Sequence, residues 1–541
     1  MLHLLLGRAG SGKTTYLRNL LKETPVTRQP ILLVPEQGSF QNERAMLRLL
    51  GPKDAQRVWV LSFSRLADRA FRTYGGVAGR RLDDGGRSIF MSLALEQVKD
   101  QLDFYRKSAE DTELVRLLLE EAAELKMCGI HPKDLSDAAE IPASPLSSTL
   151  RQKAKELALI FAAYDALVAQ SYVDPLDDLT RLKALLEEHA FFKNCVVALD
   201  SFQSFTVQEY QILASMLEQA DEVYVSLCVD QLDDPERGMG LFSLVRHTGN
   251  TLIRMSKERG VKVAAPELLE PGKRFRSKGL SALEANVFRT TRRASCPASG
   301  AVLYEAKDLY DEAEYVAATI RNLVMERGYR YRDFAVIVRT PEQYRGILDV
   351  ALEHRNIPYF MDKPQAIDAE PLMRLVLSAF QVVRSGFASG DVFTFLKTGL
   401  VGLSTEQISE LENYTYLWNL SGRKWKEEWT DHPQGFAEEW TDHDQQQLES
   451  LNQNRRTIVE PLLRFSKRVV EVDGEGMALA VYRLLSDLQA AEHLKALAGR
   501  LAANGRTELA ERQLRLWDIL MAILDQSALV LKGCCLQYTR Y

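Results

Sequence analysis

Two hydrophobic rhythms alternate along this chain. An apolar run at Leu2–Leu6 gives way to glycines, and then to apolar positions spaced for a helix over 13–22. The order returns twice. A run at 30–35 leads into a helical stretch at 39–50, and a run at 58–62 leads into one at 64–74. Short continuous apolar runs alternating with amphipathic helices are the pattern of a parallel sheet, its strands buried on both faces and its helices serving as crossovers.

Beyond residue 85 the pattern changes. From about 85 to 190 the periodicity is helical almost throughout, as in Leu114-Val115-Arg116-Leu117-Leu118-Leu119, which predicts a helical insertion. The sheet pattern resumes at Cys195–Leu199, which runs directly into Asp200, and again at 222–228. A basic connector follows over 273–301 and contains Arg289-Thr290-Thr291-Arg292-Arg293. A second α/β unit is expected from Val302: a strand, a helix over 311–327, a strand at 334–339, a helix over 342–354 and a strand at 358–360. After about Glu370 the pattern is helical to near Gln526. One short repeat, Glu427-Glu428-Trp429-Thr430-Asp431-His432 and Glu438-Glu439-Trp440-Thr441-Asp442-His443, reads as a duplicated surface segment rather than a metal site.

Composition narrows the function classes. A chain of 541 residues with 46% hydrophobic content suggests several domains. A net charge of -6 excludes a uniformly basic nucleic-acid binder, so any nucleic-acid contact must use local basic grooves or a partner. The six cysteines (Cys128, Cys195, Cys228, Cys296, Cys534 and Cys535) are too few and too scattered for a disulfide scaffold, and a cytoplasmic protein is expected. The apolar start is too short for a signal peptide, and no apolar run reaches the ~18 residues needed to span a bilayer, so no membrane role is expected.

The first glycine segment carries the clearest chemistry. Gly7-Arg8-Ala9-Gly10-Ser11-Gly12-Lys13-Thr14 matches the phosphate-binding loop and stands between an expected strand and helix, with Thr15 next in that helix. Glycines let backbone N–H groups converge on phosphate oxygens. Lys13 supplies charge to the β- and γ-phosphates, the Thr14 hydroxyl is placed for Mg²⁺, and the helix N-terminus adds its dipole. ATP with Mg²⁺ is the expected ligand. Asp200, at the end of an apolar strand, is the candidate second Mg²⁺ residue. Ser201, Phe202 and Gln203 follow it with no adjacent glutamate, and Glu209 lies further on, so nucleotide binding is expected more firmly than hydrolysis.

A resemblance adds to this reading. Val338-Arg339-Thr340-Pro341-Glu342-Gln343-Tyr344-Arg345 is similar to the fourth motif of superfamily 1 helicases, in which an arginine reaches the γ-phosphate. By that likeness Arg345, then Arg339, are candidate catalytic arginines. The loop, Val34-Pro35-Glu36-Gln37, Leu61-Ser62-Phe63-Ser64-Arg65-Leu66, Asp200-Ser201-Phe202, Ile357-Pro358-Tyr359-Phe360-Met361-Asp362, 393–400 and Leu411-Glu412-Asn413-Tyr414 together resemble, in order, the AddB family of the bacterial AddAB helicase–nucleases.

The resemblance implies an α/β fold of two RecA-like P-loop lobes with parallel sheets and large helical insertions. Residues 1–84 and 191–290 would form the first lobe and 85–190 its helical insertion. Residues 301–385 would begin the second lobe, 386–526 would be that lobe's insertion, and 527–541 would be an unmatched tail. It also implies an AddA-like motor and nuclease partner in a heterodimer, double- and single-stranded DNA as substrate, and a role in end processing for recombinational repair. Gln37, Phe40, Ser64 and Arg65 fall where such lobes meet single-stranded DNA. Family members are about twice this length and carry a nuclease and a 4Fe–4S cluster. No cysteine set here has cluster spacing, so neither is expected, and a truncated or frameshifted product is the expectation. A non-catalytic ATP-binding DNA-binding or scaffold protein is the alternative; a small-molecule kinase fits neither the length nor the arginine motif.

Overall fold

A computed structural model describes the chain apart from residues 77–78, 110, 142–146, 171, 234–237, 239, 272, 289–299, 362–365, 437–438 and 533–541. The strands are β1 (Leu2–Leu6), β2 (Gln29–Leu33), β3 (Trp59–Leu61), β4 (Arg80–Arg81), β5 (Tyr172–Val173), β6 (Cys195–Leu199), β7 (Glu222–Leu227) and β8 (Glu267–Leu268). Six of them form one sheet in the order β3-β2-β6-β7-β1-β8, while β4 and β5 pair separately. Every pairing is parallel.

Parallel pairing forces a crossover between successive strands, and the apolar runs match that demand. Side chains of alternate residues leave opposite faces of the sheet. Leu5, Leu32, Val60, Val196 and Ala198 pack on one side with Leu17 and Leu21 of the helix Lys13–Glu23. Leu4, Ile31, Leu33, Val197, Leu199 and Val225 pack on the other with Leu66, Phe71, Ile212 and Leu213. Each such fully buried leucine or valine contributes about 1.5–3 kcal/mol. Sequence periodicity did not reveal β8, which is two residues long and lies at the sheet edge beside β1.

Helices occupy the crossover from β3 to β6, and their core contains Phe90, Met91, Leu95, Ile160, Phe161 and Tyr164. A second helical unit, from Pro371–Arg384 to Thr507–Val530, packs around Trp425, Phe395, Phe465 and Leu484. The last helix belongs to both. Leu516, Leu520 and Leu524 enter the second core and Val530 enters the first, while Gln526 packs on Gly86.

Two expectations need correction. Among the described residues of 302–361 there is no strand. Helices Leu309–Arg327 and Leu348–His354 are present and pack through Ala313, Ala317, Ile320, Leu348 and Leu352, but 334–339 and 358–360 enter no ladder, because an extended segment becomes a strand only beside a partner. The helix Thr507–Val530 extends into the segment expected to be an unmatched tail, and Ser527, Val530 and Leu531 are buried. The duplicated segment is not uniformly at the surface. Trp429 and His432 of the first copy are buried, whereas Trp440 and His443 of the second are exposed. Arg289–Arg293, Cys296, Asp362, Cys534 and Cys535 lie outside the described residues. No helix among the described residues is long and apolar enough to cross a membrane.

Candidate nucleotide site

Sheet polarity gathers the candidate residues at one edge. In a parallel sheet all strands end on the same side, where loops converge and ligands bind. Here Leu6 pairs with Leu227, Leu199 with Val225, and Leu33 with both Leu199 and Leu61. The glycine loop after β1, Asp200 after β6, and the turns after β2 and β3 therefore share the carboxyl edge. One strand, β7, stands between β1 and β6.

Residues 7–12 turn directly into the helix Lys13–Glu23. Gly12 caps that helix with φ 94° and Gly10 has φ 77°, backbone values that only glycine adopts cheaply. Ser11 is fully buried and its Oγ has no hydrogen-bond partner; Thr14 is half-buried and Thr15 exposed. The Lys13 ammonium folds back onto the loop, donating to the carbonyl oxygens of Gly7 at 2.5 Å and Arg8 at 3.0 Å. Burial pushes the Lys13 pKa below its ordinary value. Cys228 and Asp200 pull it the other way, and Arg274 adds to the lowering.

Asp200 is buried, and its backbone N–H donates to the carbonyl of Leu33. Ser226 Oγ, on β7, donates to Asp200 Oδ1 at 2.5 Å, while Oδ2 has no partner. Buried polar atoms are nearly always satisfied, so an orphaned carboxyl oxygen, an orphaned loop hydroxyl and an ammonium resting on loop carbonyls, all at one sheet edge, fit a cation and a phosphate group. Ser201, directly after Asp200, has φ 68°, a strained value for a residue with a Cβ. Glu209 is no substitute for the missing adjacent glutamate. Its carboxyl accepts from the backbone N–H of Thr206 in a capping box that starts the helix Val207–Gln219.

Sequence reasoning missed four residues around the loop. Ser226 is one, invisible because a serine within an apolar strand carries no motif. The others, Lys273, Arg274 and Phe275, belong to the connector. The Arg274 backbone N–H donates to the Gly10 carbonyl, and a side chain at Gly10 would meet Arg274 Cβ at 2.7 Å and the Phe275 ring at 3.5 Å. Lys273 passes Gly12 in the same way. Arg8 ties the loop to the helix Lys278–Asn286, donating to the Glu284 carboxyl at 2.9 Å and its carbonyl at 2.6 Å.

The four expected DNA contacts all lie at the surface, unlike their neighbour Phe63. Phe40 is 72% exposed and Gln37, Ser64 and Arg65 are also at the surface, while Phe63 is buried against Phe202 and Phe205. Arg65 pairs with Glu43. Arg339 and Arg345 are both exposed, and among the described residues no hydrogen bond or ion pair joins either to the glycine loop. No cluster of three or more histidines, cysteines or acids suited to a metal occurs among the described residues.

Sheet and edge define the class: an α/β protein on a parallel sheet, with a glycine loop that opens a helix beside a buried strand-end aspartate. The chain belongs to the AddB family, whose N-terminal model matches residues 4–284. It is similar to the B subunit of the ATP-dependent helicase/deoxyribonuclease of Clostridium tetani, at 30% identity over 98% of this chain and 48% of the relative. The protein of the same name from Desulforudis audaxviator is 32% identical over 97% of this chain and 47% of the relative. The one from Thermoanaerobacter sp. is 31% identical over 96% and 46%. The chain thus spans about half the length of the relatives it matches.

Proposed function

We propose that this chain is the nucleotide-binding, helicase-like part of the AddB-type component of an ATP-dependent helicase/exonuclease that processes double-stranded DNA ends for recombinational repair in the cytoplasm. The observation that carries the proposal is the gathering on one sheet edge of Lys13, where the loop after β1 opens its helix, and the buried, half-satisfied Asp200 directly after β6, in a chain of the AddB family. Relatives named as components of an ATP-dependent helicase/deoxyribonuclease support the wider role.

In this reading residues 7–15 hold the phosphates and Lys13 leaves its loop carbonyls for the β- and γ-phosphates. Thr14 and Asp200 would hold Mg²⁺, which neutralises phosphate charge when bound. Lys273 and Arg274 add two cations at the loop's rim. Gln37, Phe40, Ser64 and Arg65 meet single-stranded DNA through stacking and phosphate contacts. Arg345 or Arg339 acts as the second-lobe arginine. An AddA-like partner supplies the motor and the cutting.

A second reading, an ATP-binding DNA-binding or scaffold protein that does not turn over nucleotide, is favoured by one feature. Ser201, not a glutamate, follows Asp200, and Glu209 is spent on a helix cap. Titration of labelled ATP, with Lys13→Ala as control, tests the site; binding that survives Lys13→Ala overturns it. A DNA-stimulated ATPase assay separates the readings, with little or no turnover expected from the chain alone. Nuclease activity on blunt duplex that co-purifies with an AddA-like partner tests the wider role.

A further inference from the structure

The two identical hexapeptides differ in what covers them as well as in burial. In the first copy Arg455 lies over the Trp429 ring, 5.7 Å from its centroid, and donates to the Trp425 carbonyl at 3.0 Å. The next residue, Arg456, places Nη1 3.9 Å from the Glu428 carboxylate. An adjacent arginine pair on the helix Asp442–Arg468 thus answers an adjacent Glu-Trp pair. The second copy repeats that pair as Glu439-Trp440. Trp440 packs beside His432, with ring centroids 4.6 Å apart, yet among the described residues no cation lies over its ring, and no ion pair engages Asp431, Glu439 or Asp442. The surrounding aromatics are open too: Phe436 is 92% exposed, Tyr416 90% and Trp440 44%. The loop is nonetheless held in place. Trp418, at the end of the helix Thr405–Leu417, donates its Nε1–H to the His432 carbonyl at 3.0 Å and meets Phe436 edge-on.

Between Lys426 and Arg455 the chain has eight acidic residues and no lysine or arginine. A face of that charge repels phosphates and attracts cations. Exposed aromatic rings beside free carboxylates suit a guanidinium in particular, which stacks flat on a ring and forks onto a carboxylate as an ammonium does not. We propose that this loop docks a segment of a partner protein that carries adjacent arginines, one laid over Trp440 and the other paired with Glu439. Arg455 and Arg456 already make that arrangement with Trp429 and Glu428 inside the protein. Phe436 and Tyr416 give the docked segment aromatic cover on its flanks, the residue type in which protein interfaces concentrate their binding energy.

The test is fluorescence anisotropy of a labelled synthetic peptide, Gly-Ser-Leu-Arg-Arg-Leu-Ser-Gly, titrated with the full chain. Trp440→Ala combined with Glu439→Gln is expected to weaken binding by at least about tenfold, and Glu439→Gln alone by about threefold. Both side chains are exposed, so neither change opens a core. A peptide with lysines in place of its arginines should bind about threefold more weakly or worse. Glu188→Gln removes one exposed charge from the helix Asp178–Glu188 and should leave binding unchanged. No binding of the peptide, an equal loss in Glu188→Gln, or binding that survives the double substitution overturns the proposal. So does a labelled oligothymidylate whose binding the double substitution abolishes, which would make nucleic acid the occupant. Self-association of the chain that the double substitution abolishes would make a second copy the occupant, and overturns it as well.

Discussion

At the scale of single residues, the site is a balance between burial and charge. Ser226 holds one oxygen of Asp200 and nothing holds the other. Ser226→Ala should cost about 1.5–3 kcal/mol, the range for a hydrogen bond to a charged group, and should weaken nucleotide binding more in the presence of Mg²⁺ than in its absence. Denaturant unfolding and paired titrations check both. Lys13 gives a pH prediction. Burial lowers its pKa from the ordinary 10.5, so it loses its proton earlier as pH rises, and only the protonated form attracts phosphate. Nucleotide affinity should therefore begin to fall on the alkaline side below pH 10.5. Lys13→Arg, whose guanidinium stays charged, should flatten that fall in calorimetric titrations across the alkaline range.

At the scale of elements, position decides what a sequence pattern means. The two copies of Glu-Glu-Trp-Thr-Asp-His are identical in sequence, yet their tryptophans and histidines differ in burial. Trp429 packs in the second helical core with Tyr414 and Trp425, and Asn452 accepts its backbone N–H, while Trp440 lies near the surface beside His432. Trp429→Ala should cost about 3–5 kcal/mol and Trp440→Ala well under half of that, as read by chemical denaturation. The same logic separates what was legible in the sequence from what was not. β1, β6 and their loop were legible because local periodicity and a spaced motif define them: Cys195–Leu199 appears with the bounds its apolar run gives. β8 and the Lys273–Phe275 cover were not, since a two-residue edge strand and a connector are fixed by contacts with distant chain. The strands expected at 334–339 and 358–360 had the right composition, but composition specifies no neighbour. Phe40 and Phe63 look alike in sequence, and only the fold sends one to the surface and the other inward.

At the scale of the whole molecule, the helix Thr507–Val530 joins the two helical units. Arg512 and Gln513 bind Glu370 at its first half, and its far end closes over Gly86 and Gly474. Removing residues 527–541 should therefore lower the melting temperature of both helical units, because Ser527, Val530 and Leu531 are buried there; calorimetry on the shortened chain checks this. That seam also sets a timetable. The helix that begins at Asp84 leaves the ribosome early, but Gln526, which seats against its Gly86, emerges only after the hundreds of residues between them have been made. At usual rates of synthesis the delay is on the order of tens of seconds, during which an apolar helical unit stands incomplete. A nascent chain of this design is open to chaperones and to misassociation until the helix Thr507–Val530 arrives.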